Sequence, residues 1–309
     1  MVIMNKIFFS IIIPTYNQGK FLEKCIKSCL DQTYKNYEII VIDNNSTDIT
    51  FDVLKKYENK IIYKRIDNDG VISKSRNVAL NISRGNWIAL LDSDDYFFKN
   101  KLEEAKNTIQ RNNFDVFSNS EWISDKLGNF NKIWFYGNKE KNFYLDLIKF
   151  GNSISTSSSI IKKDFLNQNL INFNEDKEIR NIADYDFFLS IAKKKGKFFF
   201  YNKPLGFHLM HQESTSFKSK NTHLITLKKL LNNHLKSRDI NEKEFNFSLF
   251  NLLIIDMIGD KDIKLFKKLI ELCKIFLTSP VRTTFIIFRI LNKYIKSIIL
   301  NLIYKKYLS

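Results

Sequence analysis

Three cysteines, three prolines and nine glycines are all that 309 residues contain, and two of these shortages narrow what the chain can be. Three thiols cannot build a disulfide framework. Cys25 and Cys29 lie four apart among Phe21, Leu22, Ile26 and Leu30, the spacing of one helix face, so they read as core residues of a protein in a reducing compartment rather than as metal ligands. Apolar runs are short as well: none has the unbroken length of a membrane-spanning helix, which favours a soluble body. The apolar N-terminus MVIMNKIFFSIIIPTYN meets Pro14 and polar residues with no small-residue cleavage site, and predicts a strand rather than a signal peptide. After that strand the chain reads PTYNQGK, without the glycine-rich, lysine- or arginine-bearing loop that a nucleotidyltransferase would carry there. Internal repeats are absent.

Positive charge is present in excess, and it is unevenly placed. Of the formal net charge of +16, the residues from Ser216 onward hold 18 Lys and Arg against 7 Asp and Glu, so the basic bias belongs to the tail. Residues 282–306 contain Arg282, Arg289, Lys293, Lys296, Lys305 and Lys306 and no acid. On a helical wheel Arg289, Lys293 and Lys296 share one side, and Ile287, Leu291, Tyr294, Ile298 and Leu302 the other. That pattern suits a helix lying on an anionic membrane surface. It equally suits a helix packing on its own domain or on a second copy as a homodimer. The segregation of apolar residues to one face argues against a nucleic-acid partner, for which aromatic and basic residues would interleave.

Hydrophobic pattern divides the chain. Residues 8–13 form a β-branched and aromatic run, residues 21–30 repeat at helical spacing, and residues 37–42 form a second apolar run: a βαβ unit with a parallel strand pair. A helix capped by Ser46 or Thr47 and reaching Tyr57, a strand over 61–65, a helix over 71–82 and a strand over 87–91 continue the alternation. This predicts a doubly wound, mostly parallel sheet with helices on both faces. From Phe114 shorter strands follow (114–119, 132–136, 156–161), then a helix over 184–194 and a strand over 197–202, which read as a mixed half. Helices over 224–235, 245–258 and 263–277 close the described pattern. The expected division is one domain over 1–215, in halves 1–113 and 114–215, followed by a helical, basic region over 216–309.

In doubly wound sheets ligands bind beyond the carboxyl ends of the strands, and Thr15, Asp43 and Asp92 each fall at such an end. At one of them, ALLDSDDYF crowds Asp92, Asp94 and Asp95 into four residues. Their mutual repulsion must be offset by water, by hydrogen-bond donors or by a cation.

The segments PTYNQGKFLEKCIKSCLDQTYKNYEIIVIDNNSTD and DGVISKSRNVALNISRGNWIALLDSDD, in this order, resemble the nucleotide-sugar half of family 2 glycosyltransferases with the GT-A fold. The resemblance is dense from about Phe8 to Asp95, sparser to Ser216, and absent from the tail. It implies an inverting enzyme that moves a sugar from a nucleoside diphosphate sugar, UDP by default, to a hydroxyl of a surface glycan or a lipid-linked saccharide. It also implies a cytoplasmic location, at the inner face of the membrane if the tail binds lipid. By this resemblance Pro14, Thr15, Tyr16, Asn17 and Asn45 wall the nucleoside and Asp43 accepts the hydrogen bond of the base ring. Asn44 stands where many relatives carry a second Asp. Arg76 approaches the nucleotide, or pairs with Asp92. Asp92, Ser93 and Asp94 match the family's DXD motif, with Asp92 and Ser93 on the donor, Asp94 the ligand of a divalent metal (Mn or Mg), and Asp95 the cap of a following helix. In NIADYDFFLSIA, Asp184 takes the place of the general base, with Ala183 where a Glu usually precedes it. His211 corresponds to a histidine that completes the metal shell, and His208 is three residues away. Residues 156–159 match an acceptor-side strand. No nucleophilic Ser-His-Asp or Cys-His set is needed for direct displacement, and none is evident.

Overall fold

The computed structural model describes residues 6–124, 129–137, 142–210 and 220–259. They fall into two compact units, one within Met1–Lys139 and Ser153–Ser219, the other within Glu140–Asn152 and Lys220–Ser309.

In the first unit β1 (Phe9–Thr15), β2 (Tyr37–Asp43), β3 (Ile62–Arg65) and β4 (Trp87–Leu90) lie parallel in the order β3-β2-β1-β4. The crossovers α1 (Gly19–Leu30), α2 (Thr50–Lys56) and α3 (Ile72–Ile82) connect them. Every residue of β1 is buried, which explains its largely apolar run, since a central parallel strand has both faces covered, and the one polar residue inside it, Ser10, donates to the Glu38 carboxylate (2.6 Å). Helix α1 turns Leu22, Cys25, Ile26 and Cys29 inward, so both thiols are core residues. The register sets Thr15 opposite Asp43 and Ile12 opposite Leu90. The carboxyl ends of β1, β2 and β4 therefore open on one edge.

After β4 come β5 (Tyr96–Phe97), α4 (Lys101–Arg111), β6 (Val116–Ser124), β7 (Phe130–Trp134), α5 (Phe143–Phe150), β8 (Ser159–Lys162), α6 (Lys163–Gln168), α7 (Ala183–Lys193) and β9 (Phe198–His208). The sheet continues β4-β8-β6-β9-β5, with β7 on β6, and becomes mixed. Strand β8 is antiparallel to β4 and β6, whereas β9 is parallel to β6. This is the mostly parallel α/β sheet with a mixed second half that the pattern predicts. Strand β8 starts at Ser159 rather than Thr156. The Ser159 N–H donates to the Thr156 carbonyl (3.0 Å), and the Ser158 and Ser159 hydroxyls both donate to the Ser155 carbonyl (2.8 Å), so the serines turn before they pair. Strand β9 runs past Asn202 to His208. Its pairing with β6 shifts where Ser120 meets Pro204, a residue with no N–H for the ladder. Elements β5, α5 and α6 were not expected, and the helix expected directly after Asp95 begins only at Lys101.

The second unit holds α5, α8 (Lys220–Lys236) and α9 (Glu242–Gly259). Asn142 caps α5 by accepting from the Leu145 N–H (3.2 Å), and Phe150 meets Phe247 of α9 edge-on at 5.9 Å. The Asn251 amide donates to the Lys149 carbonyl at 2.5 Å. No helix among the described residues is long and apolar enough to cross a membrane. The helix expected over 263–277 and the basic segment 282–306 lie outside the described residues.

Candidate active site

Two loops at the carboxyl edge are stitched together. The Asn17 N–H donates to Ser46 Oγ (2.9 Å), the Thr47 N–H to Asn17 Oδ1 (2.8 Å), the Gly19 N–H to Asp48 Oδ2 (3.0 Å) and the Asn44 N–H to the Thr15 carbonyl (3.0 Å). Asn17 (φ 50°) and Asn45 (φ 48°) occupy the left-handed region that asparagine tolerates. Gly19 allows the close approach: a Cβ there would lie 2.6 Å from the Ile49 side chain and 2.7 Å from the Thr50 nitrogen. Because Ser46 and Thr47 are spent on these cross-loop bonds, neither caps α2. The cap position is Ile49, which carries no side-chain oxygen, and Asp48 beside it accepts from the Thr50 N–H at 3.0 Å. Pro14 and Thr15 are buried beneath the loops, and Tyr16 stands out at 56% exposure.

Asp43, at the end of β2, is fully buried. Its carboxylate accepts from the Ser46 N–H (3.1 Å), the Ser46 hydroxyl and Arg65 Nε (2.9 Å). Arg65 in turn lies 5.0 Å from the centre of the Phe51 ring. Asn44 Oδ1 accepts from the Asn68 N–H (2.8 Å), so this amide ties the β2 end to the loop that precedes α3.

Beyond β4 the acids form a turn, closed by the Asp95 N–H donating to the Asp92 carbonyl (3.0 Å). Asp92 Oδ1 accepts from Arg76 Nη2 at 2.7 Å, and the Cys25 thiol points to the Asp92 carbonyl at 3.7 Å. Arg76 reaches this point from α3 with a side chain only 6% exposed. Its Nε, like Thr15 Oγ1, is buried and finds no hydrogen-bond partner. Ser93 Oγ approaches Gln18 Oε1 at 3.5 Å, and Asp94 is partly buried.

Asp95 does not cap a helix: the turn runs into β5, and α4 begins only at Lys101. Its carboxylate is buried and accepts from the Ser157 hydroxyl (2.5 Å), the Leu209 N–H (2.9 Å) and His208 Nδ1 (3.1 Å). Burial pushes Asp95 up to about 6 against the pull of His208. For His208 burial works downward, yet the Asp95 carboxylate carries it up to about 10. His208 is thus engaged with Asp95, and His211 lies outside the described residues.

Asp184 stands in the first turn of α7, after the 3-10 turn Arg180–Ile182 and not at the cap, which is Ile182. Burial raises its pKa, the Arg76 charge draws it back, and the Asp92 charge raises it further. Asp184 therefore lies within electrostatic reach of the same Arg76 that grips Asp92. The Phe173 segment makes the mechanical connection. Asn77, next to Arg76, exchanges hydrogen bonds with the Phe173 backbone (2.8 and 2.9 Å). The Phe173 ring lies 5.2 Å from the Arg76 guanidinium and stacks on Phe187 of α7 at 3.9 Å. Ala183, where a Glu was missing, is buried at 1% exposure.

Among the described residues no three His, Cys, Asp or Glu groups are arranged to hold a metal ion. Asp92 and Asp94 nonetheless offer hard carboxylate oxygens in one turn. That donor set fits a Mg- or Mn-type ion, which takes one or two carboxylates and completes its shell with water and phosphate oxygens.

A buried polar group behind the turn escaped the sequence reading. Lys101, fully buried, donates to the Ser157 carbonyl (2.5 Å) and sits 3.9 Å over the Phe97 ring. Burial brings Lys101 down to about 7, against the opposing charges of Glu121 and Asp95. Glu121, 1% exposed, accepts from the Tyr136 hydroxyl at 2.8 Å. A lysine opening a polar helix looks solvated in sequence, and no spacing marks it otherwise.

The model of glycosyl transferase family 2 matches residues 10–166. The poly(ribitol-phosphate) beta-N-acetylglucosaminyltransferase TarP of Staphylococcus aureus is 35% identical over 173 residues, covering 53% of this chain and 51% of that protein. An uncharacterized glycosyltransferase of Haemophilus influenzae is 32% identical over 197 residues, covering 62% of this chain and 74% of that one. The chain spans about half the length of the first relative and a smaller share of several others. The crystal structure of S. aureus TarS residues 1–349 in complex with UDP-GlcNAc shares the fold at a TM-score of 0.61 and 22% identity, over 89% of this chain and 82% of that one. The curled α/β sheet is thus the GT-A fold, and with a family match running from β1 into α6 across more than half its length, this chain belongs to glycosyl transferase family 2.

Proposed function

We propose that the chain transfers a sugar from a nucleoside diphosphate sugar, with UDP as the nucleotide, to a hydroxyl of a surface glycan or lipid-linked saccharide, inverting the anomeric carbon. The observation that carries this reading is the position of Arg76, bound to Asp92 and felt by Asp184, which draws the donor-side turn and the candidate base to one guanidinium. Pro14, Thr15, Tyr16, Asn17, Asp43 and Asn45 form the nucleoside side. Arg76, Asp92 and Ser93 face the ribose and diphosphate, and the unpaired Arg76 Nε and Thr15 Oγ1 are polar atoms that a bound donor can satisfy.

Asp184 accepts the proton of the acceptor hydroxyl as that oxygen attacks from the face opposite the diphosphate. Its raised pKa makes it a stronger base than an exposed carboxylate. Asp94, with Asp92 and with His211 from outside the described residues, would hold a divalent Mg or Mn ion. That ion, when bound, neutralises charge on the departing diphosphate. A surface-polymer acceptor is supported by the poly(ribitol-phosphate) activity named for the relative TarP. Attachment to the inner face of the membrane, or pairing with a second copy, rests on the pattern of residues 282–306 alone. Cosedimentation with anionic vesicles at low salt, alongside the mass in solution, separates the two.

The test is a panel of nucleoside diphosphates and their sugars, with and without Mn or Mg, read as thermal stabilisation and as nucleoside diphosphate release. UDP and a UDP-sugar should stabilise the protein, and Asp184→Asn should keep that binding while losing turnover. The reading falls if no nucleoside diphosphate stabilises the chain, or if Asp184→Asn turns over like the wild type.

A further inference from the structure

The turn that carries Asp92 and Asp94 is partly buried and is held from behind. Ser157 Oγ accepts from the Asp92 N–H (3.1 Å) and donates to Asp95 Oδ2 (2.5 Å), so one hydroxyl links the first and last residues of the turn. Ser157 is itself pinned, because its carbonyl accepts from Nζ of the buried Lys101. Asp95 also holds the end of β9, through His208 Nδ1 on the same Oδ2 and the Leu209 N–H on Oδ1. One position further on, the Met210 N–H donates to Ser124 Oγ at 2.8 Å, tying that backbone to β6. Ser157 and Asp95 are each 1% exposed, and their side chains are spent on these internal bonds.

We propose that Ser157 and Asp95 are positioning residues of the donor site: they fix the backbone of the Asp92–Asp94 turn against the segment leading into β8 and the end of β9, and so set where the two partly buried carboxylates stand. The inference rests on the donor-site reading above and assigns it two further residues. Carboxylates on a free turn would spread apart under their own repulsion, and an ordered site must hold them before ligand arrives. Three donors converge on Asp95, which neutralises the acid nearest the pair without drawing on Asp92 or Asp94. An Asn at position 95 could still accept through one oxygen, but its amide would point a donor at one of these groups.

The experiment measures UDP affinity in the presence of Mn by calorimetry, and donor KM and kcat, for the wild type, Ser157→Ala and Asp95→Asn, with melting temperatures alongside. Ser157→Ala removes one hydroxyl and leaves the packing in place. It should weaken UDP binding and raise the donor KM about tenfold, the effect of losing one hydrogen bond to a charged group, with kcat changed less than about twofold. Asp95→Asn should shift both quantities further in the same direction. If Asp95→Asn does not fold, Ser157→Ala alone decides. Unchanged UDP affinity and KM in Ser157→Ala overturn the inference and leave the donor-site reading standing. A loss confined to kcat, as from a smaller fraction of folded enzyme, overturns it too. Failure of the wild type to bind UDP removes the donor-site reading, and this inference with it.

Discussion

Replacing Lys101 by methionine tests the electrostatics behind the site with a sign and a size. The side chain is fully buried and its pKa falls from an ordinary 10.5 to about 7, chiefly through burial. Between these values the unfolded chain holds the proton and the folded chain sheds it, so stability rises with pH across the window and is lost as pH falls towards 7. A drop of that size corresponds to ~5 kcal/mol of penalty for the charged amine below pH 7, at about 1.36 kcal/mol per pKa unit. Methionine fills similar space and binds no proton. Urea unfolding of both proteins from pH 7 to 9.5 should therefore show the wild type gaining on Lys101→Met by on the order of 3 kcal/mol. The comparison must be differential. His208, carried up to about 10, contributes stability that is present below its ordinary 6.5 and lost as pH rises, which masks the trend in the wild type alone. A stability difference that stays constant with pH would refute the reasoning, because Glu121 and Asp95 would then be holding the lysine charged at no net cost.

Three other outcomes follow from the geometry. Gly19→Ala places a methyl 2.6 Å from the Ile49 side chain and 2.7 Å from the Thr50 backbone, and should lower stability by about 1–3 kcal/mol in urea unfolding. Arg76→Lys keeps the charge but loses the planar fork that lies over Phe173 while gripping Asp92; UDP affinity measured by calorimetry should fall at least about tenfold. Asp184, raised by burial, should give kcat/KM a limb that climbs with pH through a value above the ordinary carboxylate range. Asp184→Asn should abolish that limb and cut turnover by about 10²- to 10⁴-fold.

The first half of the fold was legible because its physics is local. Central strands covered on both faces must be largely apolar, and helices between strands must repeat every three to four residues, so β1, β2, β4 and the crossovers could be read within a residue or three of their ends, with the exposed edge strand β3 placed by its position between two helices. The strand ends then located Thr15, Asp43 and Asp92. Where partners are distant in sequence the signal vanished. Asp95 reads as a helix cap beside its neighbours, but its partners Ser157 and His208 lie 62 and 113 residues away. Helix α4 is largely polar and buries few side chains, and β5 has two residues, too few for any period. Ser46 and Thr47 suit a cap equally well, and only the neighbouring loop, to which both are bonded, shows why neither takes that role.

Phe173 has a consequence for anyone redesigning this protein. Its ring touches the guanidinium on one side and the aromatic stack of α7 on the other, while its backbone is bonded to Asn77. One ring thereby couples the helix that carries Arg76 to the helix that carries Asp184. Libraries aimed at either helix should leave position 173 fixed, because a smaller ring there would disturb Arg76 and α7 at once and leave neither effect separable.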